Sequence, residues 1–152
     1  MFFIGIITNQ KNERYVKNEL SQENILFIND KTIANMKNIK FDAIVIDNKI
    51  NNRNNLRKIL SNTKYVILNS DIEIDLEVIK GLDTTIITYG FNSKSTFTVS
   101  SLTENNIIIC LQRIIFKPNG EKVEPGEYQL NLDENTEKYA IIFTRILEEL
   151  YR

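Results

Sequence analysis

The chain has 152 residues and a net charge of −1, with 42% hydrophobic and 26% charged residues. A chain of this length buries about 70% of its unfolded surface around one core, so we expect a single domain over residues 1–152. The balanced charge argues against a nucleic-acid partner. The apolar runs are far shorter than the roughly 20 residues that span a bilayer, and the first strand lacks a signal-peptide flank. We therefore expect a cytoplasmic protein without a membrane partner.

The sequence contains no histidine and one cysteine, Cys110. Histidine is the commonest general base and metal ligand, so hydrolytic triads and zinc sites are unfavourable interpretations. Cys110 lies between Ile109 and Leu111 in a strand-like run, which favours a buried small hydrophobe over a nucleophile. We expect no metal and no cofactor, with a nucleotide as the one weak alternative.

Short apolar runs alternate with helical patterns in the first part of the chain. We predict strands at 2–8, 25–28, 41–47, 65–68 and 85–88, with helices starting near Asn9 and at 32–39, 51–60 and 75–80. This alternation is typical of right-handed crossovers that feed a parallel sheet. The fold class is therefore α/β, with a mostly parallel sheet and helices on both faces, in a Rossmann-like or P-loop-like topology.

The pattern changes after Gly90. Extended segments at 97–101 and 107–116, separated by turn residues, predict two or three antiparallel hairpins. Apolar residues then repeat at three- and four-residue steps over 139–150, which predicts a C-terminal helix. Asn135 or Thr136 is the expected cap of this helix.

Polar residues follow the fourth and fifth predicted strands, and these ends meet at one edge of a parallel sheet. We expect Asn69, Ser70, Asp71, Tyr89 and Gly90 to rim any site. Asn69 has a simpler interpretation, because an Asn at a strand end is most often a turn or cap residue.

Three further positions could take part. Asp47 closes the third strand at the carboxyl edge, where it could hold a cation, act as an acid or simply cap a loop. Arg113 could lie on a hairpin beside the site and bind an anion, or form a surface ion pair. Lys11 follows the first strand, where a phosphate-binding loop would lie, but no glycine follows Gly5 there to form the cradle.

Acidic residues alternate with apolar ones from Asp71 to Glu77. A cation site requires several carboxylate oxygens to converge, and alternation does not provide this. We interpret the stretch as a solvated edge.

The chain resembles the central, ATP-binding domain of the Mur ligases, which make peptidoglycan precursors. Val66 to Asp71 (VILNSD) is similar to that family's strand ending in Asn-x-Asp, and Ile86 to Gly90 (IITYG) to its next strand. Ser95 to Val99 then leads through hairpins to Pro125-Gly126, as the family's sheet extension does. Upstream, Gly5 to Thr8 and Phe41 to Asp47 match only as general strand–helix units.

The resemblance implies a bacterial protein connected with cell-wall precursor synthesis, and it would place Asn69 against an adenine ring. The departures concern the chemistry. Asn9 to Asn12 replace the Gly-Lys-Thr loop, no Glu stands with a His in the magnesium region, and the family's His-Asn pair is represented at best by Tyr128-Gln129. Acyl-phosphate chemistry depends on positioning and on neutralising phosphate charge, so ligase activity is not expected.

We therefore predict a non-catalytic, Mur-ligase-like binding or regulatory module whose partner is another protein or a second copy of the chain. One alternative is a small enzyme or sensor that uses Asp47, Asn69 and Asp71 around a nucleotide or cation. A third possibility is a degenerate receiver domain, with Asp47 as phosphoacceptor and Ser70 as switch hydroxyl. The candidate ligand-binding residues are Lys11, Asp47, Asn69, Asp71, Gly90 and Arg113.

Overall fold

The computed structural model describes residues 2–152, which form an α/β fold around an eight-stranded sheet. The first five strands are β1 (Phe3–Ile7), β2 (Asn24–Phe27), β3 (Ala43–Ile46), β4 (Tyr65–Asn69) and β5 (Thr85–Gly90). They are followed by β6 (Phe97–Leu102), β7 (Asn106–Leu111), β8 (Ile115–Phe116), β9 (Lys122–Val123) and β10 (Gly126–Asn131). The strand order is 10-7-6-5-4-3-1-2, and β8 and β9 form a separate hairpin.

Strands β1 to β6 pair in parallel, while β7 and β10 are added as antiparallel strands. The central strands β3 and β4 are buried at every residue because helices cover both of their faces. The order 2-1-3-4-5 within the parallel part is that of flavodoxin-like, doubly wound sheets. The predicted mostly parallel sheet, with hairpins after the fifth strand, is confirmed.

Two helices, α1 (Gln10–Glu19) and the C-terminal α3, cover one face, and α2 (Arg53–Leu60) covers the other. Helix α3 spans Lys138–Tyr151, and its apolar stripe contributes Ile142, Phe143 and Ile146 to the larger core. The smaller core lies between α2 and alternate residues of β3 and β4, including Ile44 and Val66. No helix in residues 2–152 has the length and apolar character needed to cross a membrane.

Two of the predicted helices are wrong. The segment 32–39 contains only the short 3-10 turn Ile33–Asn35, and 75–80 contains only the 3-10 turn Leu76–Val78. In both cases a side chain bonds nearby backbone N–H groups and favours a turn over a helix. Asn29 Oδ1 accepts from the N–H of Thr32, and Asp75 Oδ1 accepts from the N–H of Glu77.

The predicted strand 107–116 is also divided. Strand β7 ends at Leu111, and the Gln112 amide then donates to the carbonyls of Ser93 and Ser95, which turns the chain toward β8. Glu137, rather than Asn135 or Thr136, is the N-cap residue of α3. Cys110 is half-buried instead of buried, because the smaller core does not extend to β7.

Candidate functional site at the carboxyl edge of the sheet

The carboxyl ends of β1, β3, β4 and β5 bring together polar residues that are far apart in the chain. We call this group the carboxyl-edge cluster; its members are Thr8, Asn9, Asn12, Asp47, Asn69, Asp71, Tyr89, Glu137 and Tyr139. In doubly wound sheets, ligands bind at this edge where the strand order reverses. Here the reversal lies at β1, which has β2 on one side and β3 on the other.

Asp47 lies at the centre of the cluster and is only 6% exposed. Its Oδ1 accepts hydrogen bonds from the Tyr89 hydroxyl at 2.6 Å and from the Asn69 amide at 3.1 Å. Its Oδ2 accepts from the Thr8 hydroxyl at 2.8 Å. Three neutral donors therefore occupy most of the roughly four acceptor positions of a carboxylate.

Burial raises the pKa of Asp47 above its ordinary value, and the hydrogen bonds from Tyr89, Thr8 and Asn69 partly oppose this rise. Burial and the adjacent Asp47 carboxylate together raise the pKa of the fully buried Tyr89 well above that of a free phenol. Tyr89 therefore stays protonated and acts as a donor to Asp47.

Asp71 is the second carboxylate of the cluster. Its Oδ2 accepts from the N–H of Phe91 at 2.7 Å and from the Tyr139 hydroxyl at 2.9 Å, and its Oδ1 accepts from the N–H of Asn92 at 3.2 Å. The Asn69 side chain links the Asp47 carboxylate to the backbone of Asp71, since its nitrogen donates to Asp47 and its oxygen accepts from the backbone N–H of Asp71 at 2.9 Å. Asp71 therefore holds the loop after β5 and the first turn of α3 together.

The first turn of α1 lies beside a third carboxylate, that of Glu137. Lys11 Nζ is 2.9 Å from Glu137 Oε1, and the Asn9 amide donates to both carboxylate oxygens at 3.0 and 3.1 Å. The fully buried Asn12 donates to Glu137 at 3.3 Å and to Thr8 at 3.2 Å. The hydrogen bond from Lys11 is the main cause of a lowered pKa at Glu137.

The chain's own carboxylate thus occupies the start of α1, where a helix N-terminus favours an anion. A phosphate at this position would have to displace Glu137 from Lys11, Asn9 and Asn12. The Asp47 and Asp71 carboxylates are likewise engaged by internal donors. The arrangement is suited to fixing the loops of this edge in place, and each carboxylate would have to give up internal bonds to bind a ligand.

Beside the cluster, on the α2 side, there is a cleft of about 440 Å³ between the loops that follow β3 and β4. We call it the α2-side cleft; Ile46, Leu56 and Val78 line it from the core and Ile72 and Ile74 from the loop after β4. Half of its lining residues are polar or charged: Asn48, Lys49, Asn51, Arg53, Glu73 and Asp75. Ile72 and Ile74 belong to the alternating stretch that we interpreted as a solvated edge. They are half-buried, so only part of that stretch faces solvent.

The structure brings together four of the six predicted site residues, Asp47, Asn69, Asp71 and Gly90. Lys11 is connected to them indirectly, through Glu137, Asn12 and Thr8. Arg113 lies beside the loop between β5 and β6. Its guanidinium donates to the carbonyl of Lys94 in that loop, and its side chain also borders a groove with Thr85 and Phe116.

The cluster also contains residues that the sequence did not indicate. They are Asn9 and Glu137, the N-cap residues of α1 and α3, and Asn12 and Tyr139 in the first turns of these helices. More than 100 residues separate Asn12 from its partner Glu137. The sequence could have indicated Asn12, because it lies on the same side of α1 as the buried Val16 and Leu20. A buried asparagine needs hydrogen-bond partners.

Neither the family models nor the curated proteins contain a match to this chain. Among solved structures it is similar to the apo-structure of D-lactate dehydrogenase from Escherichia coli, with 18% sequence identity and a TM-score of 0.41. The similarity covers 57% of this chain and 30% of that chain, so the matched part spans less than a third of the dehydrogenase.

Proposed function

We propose that the chain is a non-catalytic binding or regulatory module on a Rossmann-like α/β scaffold. The observation that carries this proposal is the Glu137 carboxylate at the start of α1, bonded to Lys11, Asn9 and Asn12. Nucleotide-dependent catalysis needs a phosphate cradle built from backbone amides, lysine and magnesium. In this chain the lysine at the corresponding place, Lys11, is paired with the carboxylate of Glu137.

The resemblance to the Mur ligase central domain adds a biological setting to the proposal. It supports a link with cell-wall precursor synthesis, with another protein or a second copy of the chain as partner. A module of this kind would retain the sheet of an enzyme domain and use its surface for recognition.

The second candidate is a nucleotide- or cation-dependent enzyme or sensor. The observation that favours it is the convergence of Asp47, Asn69 and Asp71 at the edge where α/β proteins place their ligands. In that case a cation would replace the donors that now engage the two carboxylates.

Calorimetric titration with ATP, ADP, AMP and UDP, each with and without magnesium, distinguishes the two candidates. The binding-module proposal predicts no affinity tighter than about 100 μM, or about 5.5 kcal/mol. Tighter binding that disappears in the Asp47→Asn variant would instead establish the nucleotide-dependent candidate.

A further inference from the structure

The eight-stranded sheet has two edges, strand β2 and strand β10. Strand β2 has four residues, all of them half-buried, and Lys17 lies over the ring of its last residue, Phe27. Short edge strands with a charged residue beside them resist pairing with a further strand. Strand β10 has six residues, contains no proline, and pairs with β7 without a shift of register. It therefore lacks the features that protect an edge strand.

The backbone groups of alternate residues in β10 point away from the sheet. The N–H of Leu132 donates to the carbonyl of Asn105 at 2.9 Å, and this pair continues the register of β10 with β7. Bonded and non-bonded pairs alternate in an antiparallel ladder, so Glu127, Gln129 and Asn131 direct their N–H and carbonyl groups outward. All three residues are exposed, and no group within residues 2–152 bonds to their outward N–H and carbonyl groups.

The sequence of β10 is self-complementary in one antiparallel register. A two-fold axis at Gln129 places this residue opposite its own copy and places Glu127 opposite Asn131 of the second copy. Each facing pair forms two backbone hydrogen bonds, or about six in all. Tyr128 then lies opposite Leu130 of the second copy, and aromatic–aliphatic cross-strand pairs stabilise a sheet.

The neighbouring registers are less favourable. A shift by two residues in one direction places Glu127 opposite Asp133 of the second copy, and like charges that face each other are destabilising. A shift by two residues in the other direction places Asn131 opposite Pro125, which has no N–H to donate. A shift by one residue places outward groups opposite residues that are already bonded to β7.

We propose that two copies of the chain pair through β10 about a two-fold axis, so that the two eight-stranded sheets continue into one. The pairing rests on the proposed function and deepens it, because it names the second copy of the chain as the partner. A two-fold dimer uses the same surface of both copies and is the commonest symmetric assembly. It also covers both β10 edges. Because a strand pair alone forms a small interface, we expect a dissociation constant on the order of 10 μM.

Sedimentation velocity of the full chain from about 1 to about 300 μM measures the dimer. Gln129→Pro removes an outward N–H and no hydrogen bond within the chain, and proline is tolerated on such an edge strand. Since Gln129 faces its own copy, both central bonds are lost, and we expect the dimer to weaken by at least about tenfold. Gln129→Ser keeps the N–H and is the matched control, with an unchanged dissociation constant. A far-UV spectrum and an unfolding curve establish that both variants fold.

A pair of substitutions at position 131 tests the register. Asn131→Glu places a carboxylate opposite Glu127 of the other copy, twice in each dimer, and should weaken it by at least about threefold. Asn131→Lys places a positive charge there and should strengthen the dimer by at least about threefold. Asn131 is exposed, so neither substitution disturbs the fold of a single copy.

Four results would overturn the proposed dimer: a monomer at the highest concentration, a dimer as stable in Gln129→Pro as in Gln129→Ser, equal affinities of the Asn131→Glu and Asn131→Lys chains, or growth beyond a dimer, which requires head-to-tail contacts. A monomeric chain would leave binding to another protein in place. Conversely, nucleotide binding that depends on Asp47 would overturn the proposed function whether or not the chain dimerises.

Discussion

Gly90, the last residue of β5, shows how closely single residues are packed at the carboxyl edge. Its φ of 146° lies in a region that L-residues rarely adopt, and a Cβ at this position would lie 2.6 Å from Asp71 Oδ2 and 2.9 Å from Ser70 Oγ. The glycine therefore allows the Asp71 carboxylate to reach the N–H groups of Phe91 and Asn92. The backbone conformation therefore requires a glycine at position 90. From the sequence alone, only a glycine at the end of a strand could be recognised.

We expect Gly90→Ala to lower the free energy of unfolding by about 2 kcal/mol, because it combines backbone strain with a displaced Asp71. Gly126→Ala is the matched control, since no atom lies within 4 Å of a Cβ built there. Urea denaturation of both variants gives the two values. Similar small losses in both would show that Asp71 does not depend on close approach to β5.

The position of Asp47 follows from the sequence more directly than its hydrogen bonds do. An Asp at the end of a buried strand could be predicted from the sequence, and its location at the carboxyl edge followed from the alternation of strands and helices. Asn69 and Tyr89 were predicted at the same edge, but their hydrogen bonds to Asp47, and that of Thr8, were not, since the three donors come from three other strand ends. Their arrangement depends on register, which local patterns do not specify.

Between elements, the main polar connection is that of α1 with the N-terminus of α3. Glu137, at the N-cap position of α3, accepts hydrogen bonds from Asn9 and Asn12 and pairs with Lys11. The negative charge lies near the N-termini of both helices, which their dipoles favour. The long helix α3 was predictable from its apolar period, whereas its docking through Glu137 was not, because the period of a helix does not identify its polar neighbours.

We expect Glu137→Gln to lower the free energy of unfolding at pH 7 by about 1 kcal/mol, since a partly exposed ion pair is screened by solvent. The pKa of Glu137 is lowered in the folded chain, so the contribution of its charge is present above the ordinary glutamate pKa of about 4.3 and is lost as the pH falls through the lowered value. The difference between wild type and variant should therefore shrink toward pH 3.

Glu134→Gln serves as the control for this measurement, because Glu134 is an exposed residue of the same loop. Unfolding curves at several pH values and at two salt concentrations are sufficient. A Glu137→Gln variant as stable as Glu134→Gln at pH 7 would contradict a connecting role for Glu137.

For the whole molecule, the sequence predicted the fold better than the site. The β1 to β5 strands and the helices α1, α2 and α3 follow from apolar runs and helical periods, which are local. The carboxyl-edge cluster joins residues from both ends of the chain, and the α2-side cleft lies between two loops, so both depend on tertiary packing. Ile72 and Ile74 are an example: the sequence shows that they alternate with acidic residues, but it does not show that they line a cleft.

We infer that the carboxyl-edge cluster maintains the fold of the whole molecule. Residues kept for catalysis often reduce stability, and their removal then stabilises a protein or leaves its stability unchanged. Residues that satisfy buried donors have the opposite effect, because their removal leaves polar groups unpaired. The stability of Asp47 variants therefore separates a structural cluster from an active site.

The most direct measurement is a double-mutant cycle of Asp47→Ala and Tyr89→Phe by urea unfolding at pH 7, with the exposed Asp83→Ala as control. We predict that Asp47→Ala lowers the free energy of unfolding by about 2–3 kcal/mol, with a coupling of about 1 kcal/mol between Asp47 and Tyr89. Asp83→Ala should change it by less than about 0.5 kcal/mol. An Asp47→Ala variant as stable as the wild type, or more stable, would contradict the structural role of the cluster.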